Sequence, residues 1–208
     1  MKILLASKNR GKVRELQELL AEEDIEVLSL LDLPAWEEVE ETGDTFAANA
    51  LLKARAAVAR TGLISLADDS GLEVDALNGA PGVKSARFAG EPADDARNNE
   101  KLLRLLAEVP DAERTGRFRC TLALVTPQGE EFLTEGALEG RIMRHGRGSK
   151  GFGYDPLFFI PEIGRTMAEL STTQKNKLSH RAQAFRQAVP ILKELRRRLE
   201  KGEERLSI

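Results

Sequence analysis

The stretch Gly62-Leu63-Ile64-Ser65-Leu66-Ala67-Asp68-Asp69-Ser70-Gly71-Leu72 puts two adjacent carboxylates behind a short apolar run. The run is partly β-branched and opened by glycine, which predicts a buried strand over residues 64–67. Ser70-Gly71 then reads as a turn. A buried strand that delivers acidic groups into a turn resembles the strand-end crevice where open α/β sheets bind ligands. An Asx-type turn closing a strand explains the same residues without any ligand. Adjacent side chains on a strand point to opposite faces, so at most one of Asp68 and Asp69 enters a cleft while the other braces a loop.

Working outward, residues 2–6 read as a strand, and Val13, Leu16, Leu19 and Leu20 give the apolar spacing of a helix over 11–22. Residues 25–28 form a second strand, followed by an irregular acidic segment over 34–44 that holds the only tryptophan, Trp36. Thr45 caps a helix through residue 60 that turns Phe46, Ala50, Ala54, Ala57 and Val58 inward. Breakers around Asn78-Gly79-Ala80-Pro81-Gly82 open a loop to residue 90, and a helix spans 93–106. Residues 117–126 and 130–136 alternate as an antiparallel hairpin, and the glycines of 144–153 preclude regular structure. A short strand at 157–160 precedes a last helix from about Ser179, with Phe185, Val189, Leu192, Leu195 and Leu199 on one face and a kink at Pro190. Strand-helix-strand alternation followed by a hairpin predicts an α/β fold with a mixed sheet in two lobes, and a site in the cleft between them.

At 208 residues the chain is long enough for one domain with a substantial core. A net charge of -3, with no basic stripe carrying interleaved aromatics, argues against a nucleic-acid partner. The single cysteine, Cys120, lies in an apolar strand and is expected in the core. The opening apolar run is too short for a signal peptide and no long apolar segment follows, so a cytoplasmic protein without membrane contact is expected.

Four patches carry chemistry. Ser7-Lys8-Asn9-Arg10-Gly11-Lys12 lies between a strand and a helix, where free backbone N–H groups and the helix dipole face an anion; the Walker A spacing is absent, and an ordinary helix start reads the same way. Glu40-Glu41-Thr42-Gly43 is followed by Asn49 and Lys53, four apart and therefore on one helix face. They form either a polar strip in a cleft or a plain solvent face. Asp68 and Asp69 with Ser70 make the third patch. One carboxylate there and one at Glu41 are the ligand set that holds a hydrated Mg²⁺ beside substrate phosphates. The fourth is Lys150-Gly151-Phe152-Gly153-Tyr154-Asp155-Pro156 with Lys175 and Ser179-His180-Arg181. Its glycines let backbone approach a flat ligand, Phe152 or Tyr154 offers a stacking face, and the helix start beside Arg181 supplies donors. His145, in a glycine-arginine loop, reads as surface.

Together these patches resemble the inosine triphosphate pyrophosphatase family, which hydrolyses non-canonical purine nucleoside triphosphates. S-x-N-x-x-K at 7–12, E-E-T-G at 40–43, A-D-D-S-G-L at 67–72, G-A-P-G at 79–82, S-A-R-F at 85–88, G-F-G-Y-D-P at 151–156 and S-H-R at 179–181 occur in the family's order and spacing. The resemblance implies an elongated α/β fold with a central mixed sheet flanked by helices, an active-site cleft between two lobes, and a homodimer. It also implies Mg²⁺-dependent cleavage of ITP, dITP and XTP between the α- and β-phosphates. By position, Asp69 matches the proton acceptor, and Glu41 and Asp69 match the Mg²⁺ ligands. Ser7 to Lys12 and Lys53 match phosphate contacts; Ser70, Phe152, Gly153, Tyr154, Asp155, Lys175, His180 and Arg181 match the other nucleotide contacts. Asp68 is assigned to bracing the turn or to the outer metal shell. Thr172-Thr173 stand where the family commonly has an acidic pair. The related septum-inhibitor-like pyrophosphatases would be the nearest alternative, and a nucleotide sensor without hydrolysis the alternative of another class.

Overall fold

The computed structural model describes residues 1–34, 36 and 39–202. The predicted acidic segment 34–44 therefore falls partly, at residues 35, 37 and 38, outside the described residues. The elements are β1 (Lys2–Leu5), α1 (Arg10–Leu19), β2 (Glu26–Ser29), α2 (Phe46–Thr61), β3 (Ile64–Val74), α3 (Asp95–Leu105), β4 (Thr115–Val125), β5 (Glu131–Ile142), β6 (Phe158–Ile160), β7 (Arg165–Thr166), α4 (Thr172–Leu178) and α5 (His180–Lys201). Seven strands pair in the order β2-β1-β3-β4-β5-β6-β7. β1 runs parallel to both β2 and β3, with Ile3 opposite Val27 and Ile64. β6 is antiparallel to β5 and to β7. The sheet is mixed, as the alternation of elements predicted.

The chain divides into two compact units, one of Met1–Asp69, Thr121–Glu135 and Arg181–Ile208, the other of Ser70–Cys120 and Gly136–His180. In the first, Ile3, Leu4 and Leu5 are fully buried, the pattern of a parallel strand covered on both faces. α2 turns Ala50 and Ala54 onto Ala67, Ala123 and Val125, and small side chains there let the helix lie close to the sheet. Thr45 caps α2 by accepting from the Ala48 N–H at 3.1 Å, and Gly62 closes it in the left-handed conformation (φ 66°). In the second unit the core gathers Leu72, Val74, Leu102, Leu106, Phe118, Phe158 and Leu170. Cys120 is buried, as expected.

The reading of residues 62–72 needs correction where it matters most. β3 does not stop at Ala67; it continues through Asp68, Asp69, Ser70 and Gly71 to Val74. Ser-Gly favours turns, but Leu72 and Val74 are both fully buried in the second core, and that burial outweighs a local turn preference. The acidic pair therefore sits inside a long strand. β5 likewise runs to Ile142, beyond the predicted end, and α4 and β7 were missed. α5 continues through Pro190. Its expected apolar residue Leu199 is 55% exposed, while Arg198 is buried and its Nη1 donates to Glu130 at 3.0 Å.

Candidate active site

In the first unit, β3 carries Asp68 and Asp69 to two different sets of partners, as opposite strand faces require. Asp68 accepts Lys12 Nζ at 2.7 Å on each carboxylate oxygen, and Arg181 Nε lies 3.5 Å from its Oδ2. There is no turn here for Asp68 to brace; it holds two cations instead. Asp69, 8% exposed, accepts Asn49 Nδ2 at 3.0 Å and lies 3.8 Å from Lys53 Nζ. Lys53 also donates to Glu41 Oε1 at 2.6 Å. Glu41 and Asp69 thus face one ammonium group.

The local sequence builds this cluster. Asn49 and Lys53 are one turn apart on α2, so both reach Asp69. Asn49 Oδ1 accepts the Gly43 N–H at 2.7 Å, which ties the E-E-T-G segment to the helix. A Cβ at Gly43 would come within 2.7 Å of Asn49 Oδ1, so glycine is required by close approach. Asn49 belongs to the site by geometry, although it was predicted only as one of two readings of a polar strip; the signal was its spacing to Lys53.

The strand-to-helix segment behaves differently from the expectation of free N–H donors. Asn9 Oδ1 accepts from the Gly11 N–H at 2.8 Å and the Lys12 N–H at 3.2 Å, and Ser7 Oγ accepts from the Asn9 N–H at 3.1 Å. An asparagine at the N-cap has taken the first-turn donors for the helix itself. What this segment offers is mainly side chains: Lys8, Asn9 and Arg10 are exposed, and Ser7 and Lys12 half-buried.

Electrostatics follow from packing. Burial alone would raise the Asp68 carboxyl, but Lys12 and Arg181 outweigh it and hold it well below the usual carboxylate range. Burial pulls Lys53 down, yet Asp69 and Glu41 pull harder, so its ammonium is held above the ordinary lysine value. Glu15, buried one turn beyond Lys12, is pushed up by burial, with Arg181 opposing in part. Its Oε1 has no hydrogen-bond partner among the described residues.

In the second unit, the glycine-rich loop is tied down by α3. Asp95 Oδ2 accepts the Gly153 N–H at 2.7 Å and Asn99 Nδ2 donates to the Gly153 carbonyl at 2.9 Å. Neither α3 residue was predicted, though their four-residue spacing on a helix was a legible signal. Asp155 accepts Lys175 Nζ at 2.6 Å and the Phe152 N–H at 3.3 Å on the same oxygen. Gly151 adopts φ 89°, and a Cβ there would clash with Asp155 Oδ2 and Lys175 Nζ. Of the two aromatic candidates, Phe152 is 61% exposed, whereas Tyr154 is buried and its hydroxyl donates to the Ser85 carbonyl at 2.7 Å. The open ring is therefore Phe152. His180 is buried and stacks on Phe118 with ring centroids 5.1 Å apart. Ser70 is half-buried at the start of this unit.

Residues 3–191 match the Ham1 family. The chain is 55% identical over 195 residues to the dITP/XTP pyrophosphatase of Desulforamulus reducens, covering 94% of this chain and 97% of that protein. It is 54% identical over 183 residues to the dITP/XTP pyrophosphatase of Geobacillus kaustophilus, covering 88% and 90%. Among solved structures, the HAM1 protein from Coxiella burnetii superposes with a TM-score of 0.86 at 44% identity, over 93% of this chain and 99% of that one. The nucleoside-triphosphatase, dITP/XTP pyrophosphatase, of Mycobacterium abscessus superposes with a TM-score of 0.75 at 49% identity, over 92% and 98%.

Proposed function

The chain belongs to the Ham1 family, and on that premise we propose that it hydrolyses non-canonical purine nucleoside triphosphates, ITP, dITP and XTP, to the monophosphate and pyrophosphate. Relatives named dITP/XTP pyrophosphatase over nearly the whole chain support the reaction. The observation that carries the reading is the buried Asp69 carboxylate held by Asn49 beside the Lys53–Glu41 pair. This is a fixed proton acceptor next to fixed positive charge, the combination that attack on a phosphate anion needs.

In this reading Asp69 takes the proton from a water whose oxygen bonds to the α-phosphorus, and the bond from that phosphorus to the α,β-bridging oxygen breaks. Pyrophosphate leaves. Lys53 and Lys12 face the phosphates as cations, joined by the exposed side chains of Lys8 and Arg10 and by Ser7, Asn9 and Gly11 of the same segment. Phe152 offers its open ring to the purine, while Gly153, Tyr154 and Asp155 present backbone and carboxylate to it, with Ser70, Lys175, His180 and Arg181 as the remaining contacts.

Glu41 and Asp69 fit a divalent cation, Mg²⁺ in this reading: they already converge on the Lys53 ammonium, and two hard carboxylates suffice where phosphates and water complete the shell. When bound, such an ion supplies charge neutralisation at the triphosphate. We read the whole chain as one functional domain acting in the cytoplasm and, on the strength of the resemblance, as a homodimer. Among the described residues no helix is long and apolar enough to cross a membrane.

The test is incubation with ITP and Mg²⁺ while pyrophosphate and orthophosphate are assayed separately. IMP and pyrophosphate in equal amounts are expected. IDP and orthophosphate as first products, or tight binding without turnover, would reject the reading.

A further inference from the structure

We propose that Asp95 and Asn99 of α3 are positioning residues for purine recognition: they clamp Gly153 from both sides and so fix the direction in which Phe152 presents its ring. The inference rests on the reading of Phe152 as the purine's stacking face. Every residue it uses lies in the second unit. Asp95 and Asn99 stand one turn apart on α3 and share a face. The first offers an acceptor to the Gly153 N–H at 2.7 Å, the second a donor to the Gly153 carbonyl at 2.9 Å. One helix face thus supplies partners for both polar groups of one residue's backbone, and the bond to Asp95 is charge-assisted, the stronger kind. The backbone of Phe152 is held as well: its N–H donates to Asp155 Oδ2 at 3.3 Å and its carbonyl accepts the Asp155 N–H at 3.2 Å. Asp155 in turn accepts Lys175 Nζ at 2.6 Å.

The N–H and carbonyl of Phe152 and of Gly153 are therefore all satisfied within the protein, yet the Phe152 side chain is 61% exposed. Burying a phenyl ring is favourable, and a flat ligand that covers this one recovers that gain. Gly151 and Gly153 flank the ring at φ 89° and 60°, conformations open to glycine and costly to fix in a chain of glycines unless bonds from outside hold them. For Gly153 those bonds come from α3. Tyr154 is fixed separately, its hydroxyl donating to the Ser85 carbonyl of the S-A-R-F stretch at 2.7 Å. Asn98, also on α3, holds that stretch by donating to the Ala86 carbonyl at 2.9 Å and accepting the Ala89 N–H at 2.7 Å. S-A-R-F, to which no nucleotide contact was assigned, thereby takes a place in the same support. A loop already held in its bound form spares the ligand the cost of ordering it, so α3 acts on affinity for the base and not on the bond that is cut.

The experiment measures kcat and KM by ITP consumption, and Kd for IMP and for pyrophosphate by calorimetry, in the wild type, Asp95→Ala, Asp95→Asn, Asn99→Ala and Asn99→Asp. Both alanine variants should raise KM for ITP and Kd for IMP about fivefold, near the cost of ordering one side chain, while kcat and the Kd for pyrophosphate, which has no base, stay within about twofold of wild type. Asn99→Asp keeps the shape but sets an acceptor against the Gly153 carbonyl, so it should be worse than Asn99→Ala. Asp95→Asn keeps an acceptor and should recover most of what Asp95→Ala loses. A rise of less than about twofold in the Kd for IMP in both alanine variants overturns the clamp. So does an equal loss of affinity for IMP and pyrophosphate, the mark of general damage to the fold. If Asn99→Ala fails a thermal-melt check of folding, Asp95→Ala decides alone, since Asp95 is exposed. If the wild type neither consumes ITP nor binds IMP, the functional reading itself falls and takes the clamp's role with it. Normal wild-type turnover with unchanged IMP affinity in the alanine variants removes the clamp alone.

Discussion

Asn49 holds Asp69 from α2: its Nδ2 donates to the carboxylate at 3.0 Å while its Oδ1 accepts the Gly43 N–H at 2.7 Å. One amide therefore orients the candidate base and anchors the segment that carries Glu41. Asn49→Ala should lower kcat about tenfold or more, since a misoriented base loses much of the benefit of general-base catalysis. Asn49→Asp, which keeps the shape but sets a second carboxylate against Asp69, should be worse. Steady-state kinetics on ITP check both, and an Asn49→Ala rate equal to wild type would remove Asn49 from the site.

Asp69→Asn should lower kcat by about a hundredfold or more, because it removes the proton acceptor and weakens a metal ligand at constant shape. EDTA should abolish pyrophosphate release, and added Mg²⁺ should restore it. Full turnover in EDTA would take Glu41 and Asp69 out of a metal-binding role.

Glu15 gives a prediction about stability. Its folded-state pKa is raised by burial, so the folded protein binds that proton more tightly than the unfolded chain does. The folded state is thus favoured by this group when protonated, and that advantage is lost as pH rises from the ordinary carboxylate value of 4.5 through the raised one. Glu15→Gln removes the cost of a buried charge and should raise Tm at pH 8 relative to wild type. The difference should shrink as the pH falls toward that ordinary value. Equal Tm gaps at both pH values would show that Glu15 is not titrating in the folded protein.

Gly151 stands at φ 89° against the Asp155–Lys175 pair. Gly151→Ala forces strain and a clash together, and something in that pair must shift. KM for ITP should rise several-fold with a smaller change in kcat. Unchanged KM would place the purine away from this loop.

Tyr154 is expected to act through packing. Tyr154→Phe removes the hydroxyl and leaves the Ser85 carbonyl without that donor, a loss of about 1 kcal/mol in stability. Denaturant unfolding measures it. A change in ITP turnover larger than the change in stability would instead put the hydroxyl at the substrate.

Much of the architecture was legible because apolar spacing is local. β1, α2, β6 and the buried Cys120 follow from patterns within a few residues, and the mixed sheet follows from the order of elements. That Glu41, Lys53 and Asp69 meet was also legible through motif order, whereas the meeting of Lys12 and Arg181 at the neighbouring Asp68 was not. What misled was competition between local and distant forces: Ser70-Gly71 looks like a turn, and Leu199 like part of an apolar stripe.

By itself, then, the sequence determined the α/β alternation, the apolar faces and the residue types available for phosphate, metal and purine, since each depends on side-chain chemistry and near-neighbour spacing. Only the tertiary structure decided that β3 runs past its turn signal, that Tyr154 is core while Phe152 is open, and that Asp68 holds Lys12 and Arg181 rather than a turn. Each of those outcomes compares a local preference with burial or charge pairing supplied by residues distant in the chain, with Arg181 lying 113 residues from Asp68. Desolvation makes such distant pairings stronger than the local preferences they displace, and no short window of sequence contains both sides of that comparison.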